Sequence, residues 1–239
     1  MRLEITALST LPEVRPGDDL ASLIRAEAHL DQTVVLAVAQ KIVSKSEGAI
    51  VDLREIQPST LARSWAAEWG KDARLIELIL AQSKRIVKMD RGVIISETRH
   101  GFICANAGVD QSNVPGDNFA TVLPSDPDAS ARRLHSSLGS GAVIITDTFG
   151  RPWREGLVDV AIGVAGLDPL DDHRGRPDRH GRKLASTIIA VADQLAAAAG
   201  LVMRKAAGCP VALIRGLDFQ PAEGSARSLL RKAEQDLFR

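Results

Sequence analysis

A mixed fold of strands and helices, in the α+β class, is predicted by three features of this sequence. Apolar runs of strand length recur at 33–39, 143–145, 158–164 and 211–214. Longer stretches with helical apolar spacing separate them, as at 72–82 and 184–199. The 239 residues are 45% hydrophobic, enough for a sizeable core in one large domain or two small intertwined ones.

Residues 3–7 alternate as a short strand. Leu11-Pro12-Glu13-Val14 and Arg15-Pro16-Gly17 follow as a stiff loop, because proline fixes the backbone and sets the direction of its amides. Asp18 or Asp19 caps a helix that turns Leu20, Leu23, Ile24 and Ala28 inward. The continuous run 33–39, TVVLAVA, predicts a central strand. It gives way at once to Gln40-Lys41-Ile42-Val43-Ser44-Lys45, a change that often marks ligand contacts. A further strand is expected at 49–53. Ser59 caps a helix containing Trp65 and Trp69, and a second helix spans 72–82. The four-residue spacing of the tryptophans predicts packing. Residues 84–90 are basic. Two short strands at 93–98 and 102–105, separated by Arg99-His100-Gly101, make a hairpin that leaves Asp110 just beyond a strand end. A helix opens within 124–128 and turns Ala129, Leu134 and Leu138 inward.

The middle of the chain, 143–166, reads VIITDTFGRPWREGLVDVAIGVAG. Its first apolar run delivers Thr146, Asp147 and Thr148 to a turn. A loop with Arg151 and Arg154 follows, broken by Pro152 and Gly156, and the second run leads away. β-Branched residues that stop at a carboxylate predict a buried strand with an acid held rigidly at its tip. Residues 168–183 are polar and rich in Gly, Arg, Asp and His, which fits a disordered surface loop or a binding loop. A helix is expected over 184–199, a turn over 202–210, a strand over 211–214 and an amphipathic helix over 223–238.

Thirty basic and thirty acidic residues cancel, which gives no support for a nucleic-acid or membrane-surface partner. No Tyr, five Phe and three Trp leave few platforms for stacking bases. Cys104 and Cys209 lack a metal spacing and predict free buried thiols in a reducing cytosol. The first residues lack the apolar core of a signal peptide, and no apolar run reaches the roughly 18 residues of a membrane span. A cytoplasmic protein is the expectation.

The sequence contains neither GxxxxGK[ST] nor a strand followed by GxGxxG. What remains is a scattered set of polar groups at strand ends. Asp110, Asp147 and Thr148 are hard oxygen donors of the kind Mg²⁺ or Mn²⁺ shares with phosphates. The same aspartates serve equally as caps of their own turns. Lys45, Arg151, Arg154 and Lys205 are cations suited to phosphate or carboxylate, or to plain surface solvation. His100 reads as structural or exposed, His173 and His180 are lone histidines, and Asp178 fits a surface salt bridge as well as a ligand contact.

Five segments together resemble one family: AQKIVSKSEG (39–48), RHGFICANAGVDQSN (99–113), ITDTFGRPWREGLVDVAIGVAG (145–166), the DRHGRKLASTIIAVADQLAAAAGLVM region (178–203) and GCPVALIRG (208–216). Their order and most intervals are similar to those of coenzyme F420-0:L-glutamate ligase. The likeness covers a domain of 1–217, leaving 218–239 as a C-terminal helical extension. It implies an α+β fold of mixed sheets with flanking helices, in an intertwined homodimer. It also implies GTP-dependent addition of L-glutamate to coenzyme F420-0, then of γ-linked glutamates, through an acyl phosphate. A divalent metal, Mg²⁺ or Mn²⁺, would serve the reaction, with K⁺ as a further candidate. By the same likeness Asp110 and Asp147 bind the first metal and Thr148 a second. Leu11, Pro12, Glu13, Val14, Gln40, Lys45 and Asn113 line the GTP site, joined by Lys205, Ala206 and Gly208 of the turn that follows the late helix. Some relatives carry Ser at the place of Gln40, and MGQ at the place of Met203-Arg204-Lys205. A phosphate contact therefore suits Lys205 better than a metal contact. Arg151 and Arg154 would hold glutamate or coenzyme carboxylates. Two other readings are a GTP- or deazaflavin-binding homologue without catalysis and a metal-dependent phosphohydrolase.

Overall fold

In the computed structural model, which describes residues 2–205 and 207–236, the chain begins with β1 (Glu4–Leu8), α1 (Leu20–Glu27), β2 (Val35–Ala39), α2 (Gln40–Ser46) and β3 (Ile50–Asp52). It continues through α3 (Thr60–Trp69), α4 (Ala73–Gln82), β4 (Ser83–Asp90), β5 (Val93–Thr98), β6 (Ile103–Ala105) and β7 (Phe119–Thr121). Then come α5 (Pro127–Leu138), β8 (Ala142–Arg151), β9 (Arg154–Leu167), β10 (Leu170–Asp172), β11 (Ile188–Ala190), α6 (Val191–Met203), β12 (Val211–Arg215) and β13 (Pro221–Ala222). This is the expected α+β mixture, with mixed sheets and flanking helices.

The largest sheet has the order β1-β12-β2-β8-β9-β13. β2 and β8 are parallel from Val35↔Ala142 to Ala39↔Thr146, and the other pairs are antiparallel. Successive side chains of a strand point to opposite faces. Leu36 and Val38 accordingly enter a core with Ile24 of α1 and Leu134 of α5. Val35 and Ala37 enter a second core beneath Ala192, Leu195 and Ala199 of α6. A strand covered on both faces has no place for a polar residue, which is why 34–39 is apolar throughout. A third core gathers Leu53, Ala62, Ile76 and Ile79 with Ile94 of the β4-β5-β6 sheet. The tryptophans of α3 pack against it, ring centroids 6.1 Å apart. Asp19 and Ser59 cap their helices through the side chain, as expected, and Asp72 caps α4 rather than opening it.

Four expectations give way to tertiary pairing. The run that starts at Val143 does not turn at Asp147; β8 continues to Arg151 because β9 pairs with it as far as Arg151↔Arg154. The acid marks the end of the β2–β8 pairing, not the end of its own strand. The late helix begins at Val191, not at 184, and runs to Met203. Ile188 and Ile189 precede it as a strand paired with β10, where β-branched residues fit well. The polar stretch 168–183 is folded into turns, as in the bonds from Gly175 N to Leu184 O and from Asp178 N to Arg182 O.

The fourth correction lies at the end of the chain. In place of a helix over 223–238 there are two 3₁₀ turns, Ala226–Leu229 and Ala233–Gln235, and 237–239 fall outside the described residues. The cause is Asp128, in the first turn of α5. Its carboxylate accepts from Val164 N at 2.9 Å, Ala226 N at 2.8 Å and Ser225 Oγ at 2.6 Å. These bonds, with the β13–β9 pairing, hold the tail extended across the sheet and override its helical pattern.

Candidate functional site

A cavity of about 890 Å³ opens where β2 ends and β8 continues. Its floor is Ala39, Gln40, Thr146, Asp147 and Thr148. Beyond Thr146 the β2 side of β8 carries no further β2 pairing, so side chains from both faces of β8 reach the cleft. A bulge between Ile145 and Thr146 sits one step before Asp147. Bulges twist a strand locally and re-aim the side chains that follow.

The cavity collects most of the residues singled out in the sequence. Leu11, Pro12, Glu13 and Val14 form one wall. Gln40 and Lys45 come from α2, Asp110 and Asn113 from the loop after β6, and Lys205 and Gly208 from the turn after α6. Ala206 lies outside the described residues. Arg151 and Arg154 are not among the lining residues. The length of the β8–β9 hairpin places them at its tip, where Arg151 Nη2 donates to Glu155 O at 2.8 Å and Arg154 is exposed.

Asp110 caps its own turn, as the plain reading had it, whereas Asp147 lies within β8 and caps none; both face the cavity. Asp110 Oδ1 accepts from Ser112 N at 2.7 Å, and Asp147 Oδ1 from Thr148 N at 2.9 Å. The Asp147 carboxyl is pushed up to about 6, first by burial and then by the charge of Asp110, against the hydrogen bond from Thr148 N. Burial also raises Asp110, but hydrogen bonds from Lys41 and Ser112 outweigh it and hold that acid below its usual value. Gln40, 3% exposed, takes part in a hydrogen bond with Asp147 while its Oε1 accepts from Ser44 Oγ at 2.9 Å.

Two cations of the site, Lys45 and Lys41, are already engaged. Lys45, 5% exposed, pairs with the exposed Glu13. Lys41 places Nζ 2.8 Å from Asp110 Oδ2 and 2.5 Å from Ser112 Oγ. Sequence reading passed over Lys41, and Asp159, which lines the same cavity opposite Thr148. The signal for Lys41 was present, a cation two residues after the strand end, but Gln40 and Lys45 of the same segment drew more notice. Asp159 lies inside an apolar run and gave none. Cys104 also faces the cavity, and burial, followed by the charge of Asp147, pushes its thiol up to about 12, so it offers no thiolate nucleophile.

A hard divalent cation suits this donor set. Asp147 is a buried acid facing a second acid, the electrostatic situation a cation relieves. Among the described residues no group of three or more His, Cys, Asp or Glu side chains forms a complete ligand cage. Asp110, Asp147 and the Thr148 hydroxyl would therefore share the ion with water and substrate oxygens, as is usual for Mg²⁺. No helix among the described residues is long and apolar enough to cross a membrane.

Comparison with known proteins places the chain in a family. The family model described as F420-0:gamma-glutamyl ligase matches residues 9–216. The chain is 48% identical to the coenzyme F420:L-glutamate ligase of Methanopyrus kandleri over 237 residues, covering 95% of this chain and 94% of that protein. It is 47% identical to the protein of the same description from Methanothermobacter thermautotrophicus, over the full length of both. The corresponding protein of Methanocaldococcus jannaschii is 39% identical over 100% of this chain.

Proposed function

The chain belongs to the F420-0:gamma-glutamyl ligase family and is a ligase, and from that premise we propose that it joins L-glutamate to coenzyme F420-0 at the expense of GTP. Further γ-linked glutamates would follow in later rounds. The observation that carries this reading is the meeting of Asp110, Asp147 and Thr148 with Lys45, Asn113 and the 11–14 wall in one cavity. Hard oxygen donors and buried cations side by side suit a triphosphate and its metal.

A carboxylate cannot form an amide until its oxygen becomes a leaving group. In the proposed reaction the terminal phosphoryl group of GTP passes to the F420-0 carboxylate, breaking the bond to GDP and forming an acyl phosphate. The amine of glutamate then attacks the acyl carbon, loses a proton and expels inorganic phosphate. The obstacle is bringing a carboxylate against a polyphosphate. A divalent ion on the aspartates would supply charge neutralisation of the transferring group. Asp110 and Asp147 hold that ion, Gln40 orients Asp147, and Lys45 leaves Glu13 to meet phosphate oxygens. Lys41 keeps the Asp110 loop against α2 through Asp110 and Ser112. Lys205, from the turn after α6, adds a further phosphate contact. The family likeness extends the proposal to an intertwined homodimer, which sedimentation would read directly.

The deciding assay combines the protein with F420-0, L-glutamate, Mg²⁺ or Mn²⁺ and GTP, with products resolved by mass. Glutamylated coenzyme with stoichiometric GDP and phosphate is expected. Phosphate release without glutamate addition would indicate a phosphohydrolase instead, and binding without turnover a non-catalytic homologue. Lys45→Met removes one buried charge at little change of volume. It is expected to weaken binding of a non-hydrolysable GTP analogue about 10- to 100-fold, the worth of one charge-assisted contact. Calorimetric titration reads this, and unchanged affinity would remove Lys45 from the phosphate site.

A further inference from the structure

Asp159 faces the cavity without any of the roles above. It lies directly across the β8–β9 ladder from Thr148, whose hydroxyl donates to Asp159 Oδ1 at 2.6 Å. A hydroxyl has one proton and two lone pairs. With the proton committed to Asp159, the Thr148 oxygen is left to offer lone pairs. Donation to a carboxylate also raises the basicity of that oxygen.

The other carboxylate oxygen is seated by α6. A Cβ built on Gly200 would lie 2.4 Å from Asp159 Oδ2, so only glycine leaves the carboxylate its place. Residues 196–199 of α6 are all alanine, and the glycine follows them. Glycine costs a helix interior about 1 kcal/mol relative to alanine, so its presence here needs a reason. Asp193, on the same helix, accepts from Ala161 N at 2.9 Å and fixes α6 against β9 two residues from Asp159. Helix and strand are thereby locked in the register that forms the slot.

We propose that Asp159, seated against Gly200, is a positioning residue that turns the Thr148 hydroxyl so that its oxygen is presented to a divalent cation. The inference rests on the reading of Thr148 as an oxygen donor to metal given above. Asp159 acts through Thr148, and Gly200 acts only by leaving room for Asp159.

The test uses the full chain with a non-hydrolysable GTP analogue and Mn²⁺, with free Mn²⁺ followed by electron paramagnetic resonance. Asp159→Ala is expected to weaken Mn²⁺ binding about 10- to 100-fold, the usual effect of losing a partner that orients a metal ligand. Asp159→Asn keeps an oxygen that accepts from Thr148 and is expected to retain most of the affinity. Gly200→Ala pushes the carboxylate from its slot and is expected to weaken binding in the parent, yet to have no further effect in Asp159→Ala. Asp159→Ala or Gly200→Ala binding Mn²⁺ like the parent would overturn the inference. So would a Gly200→Ala effect of equal size in both backgrounds, which would mark a distorted helix. A parent that binds no Mn²⁺ beside the nucleotide analogue would overturn the metal reading itself, and this inference with it. Melting temperatures of all the variants separate loss of binding from loss of fold.

Discussion

Asp147→Asn is expected to abolish ligation, lowering kcat by about 10³-fold or more, while leaving the metal-free protein as stable as the parent or slightly more so. The two effects have one cause. Asp147 is a buried acid that feels the charge of Asp110. Ionised and without a metal, it burdens the fold, because burial and like-charge repulsion both oppose it. Asparagine keeps the shape and an oxygen to accept from Thr148 N, but removes the charge. The gain in stability is on the order of 1 kcal/mol, read by denaturant titration in chelator. The loss of activity is read by mass analysis of the coenzyme product. A variant that still ligated at the parental rate would take Asp147 out of the metal site. One that lost activity only because it unfolded would contradict the electrostatic account.

Asp128→Ala should produce the largest loss of stability, about 3–5 kcal/mol, with the residues after 217 released first. Three hydrogen bonds converge on that carboxylate, two of them from buried backbone N–H groups of Val164 and Ala226. Leaving such donors unpaired costs about 1–3 kcal/mol each. Hydrogen exchange would show early opening at Ala226 and its neighbours, and limited proteolysis would cut there. Asp128→Asn, whose Oδ1 can still accept from both backbone N–H groups and which gives up only the acceptor for Ser225 Oγ, should lose about 1 kcal/mol. An Asp128→Ala protein with an unchanged midpoint and intact protection of the tail would show that β13 and the buried Ala226 hold the segment alone.

What the sequence discloses is local, and what it conceals is pairing. The 33–39 strand, the caps Asp19, Ser59 and Asp72, and the 93–105 hairpin are written in consecutive residues. The continuation of β8 past Asp147 is not, because it depends on β9 staying hydrogen-bonded as far as Arg154. The tail misleads for the same reason: its apolar spacing suits a helix until Asp128, about a hundred residues earlier, takes its amides. At the site, Asp110 and Asp147 could be singled out as acids beyond apolar runs, and the family likeness added Asn113 and the 11–14 loop. Lys41 and Asp159 became visible only when distances replaced spacing. The two arginines at 151 and 154 show the converse, since nearness to Asp147 in sequence did not bring them into the cavity.

The order of strands in the main sheet has a consequence for how the molecule is made. β1 finds its neighbour only in β12, which inserts between β1 and β2. The 11–14 wall follows directly from β1. A nascent chain still lacking residue 215 has therefore no strand to pair with β1 and pin the start of that wall to the sheet. Such long-range closure slows folding, because the entropy of a large loop is lost before its contacts form. Nucleotide present during synthesis would meet a pocket whose first wall is not yet joined to the sheet.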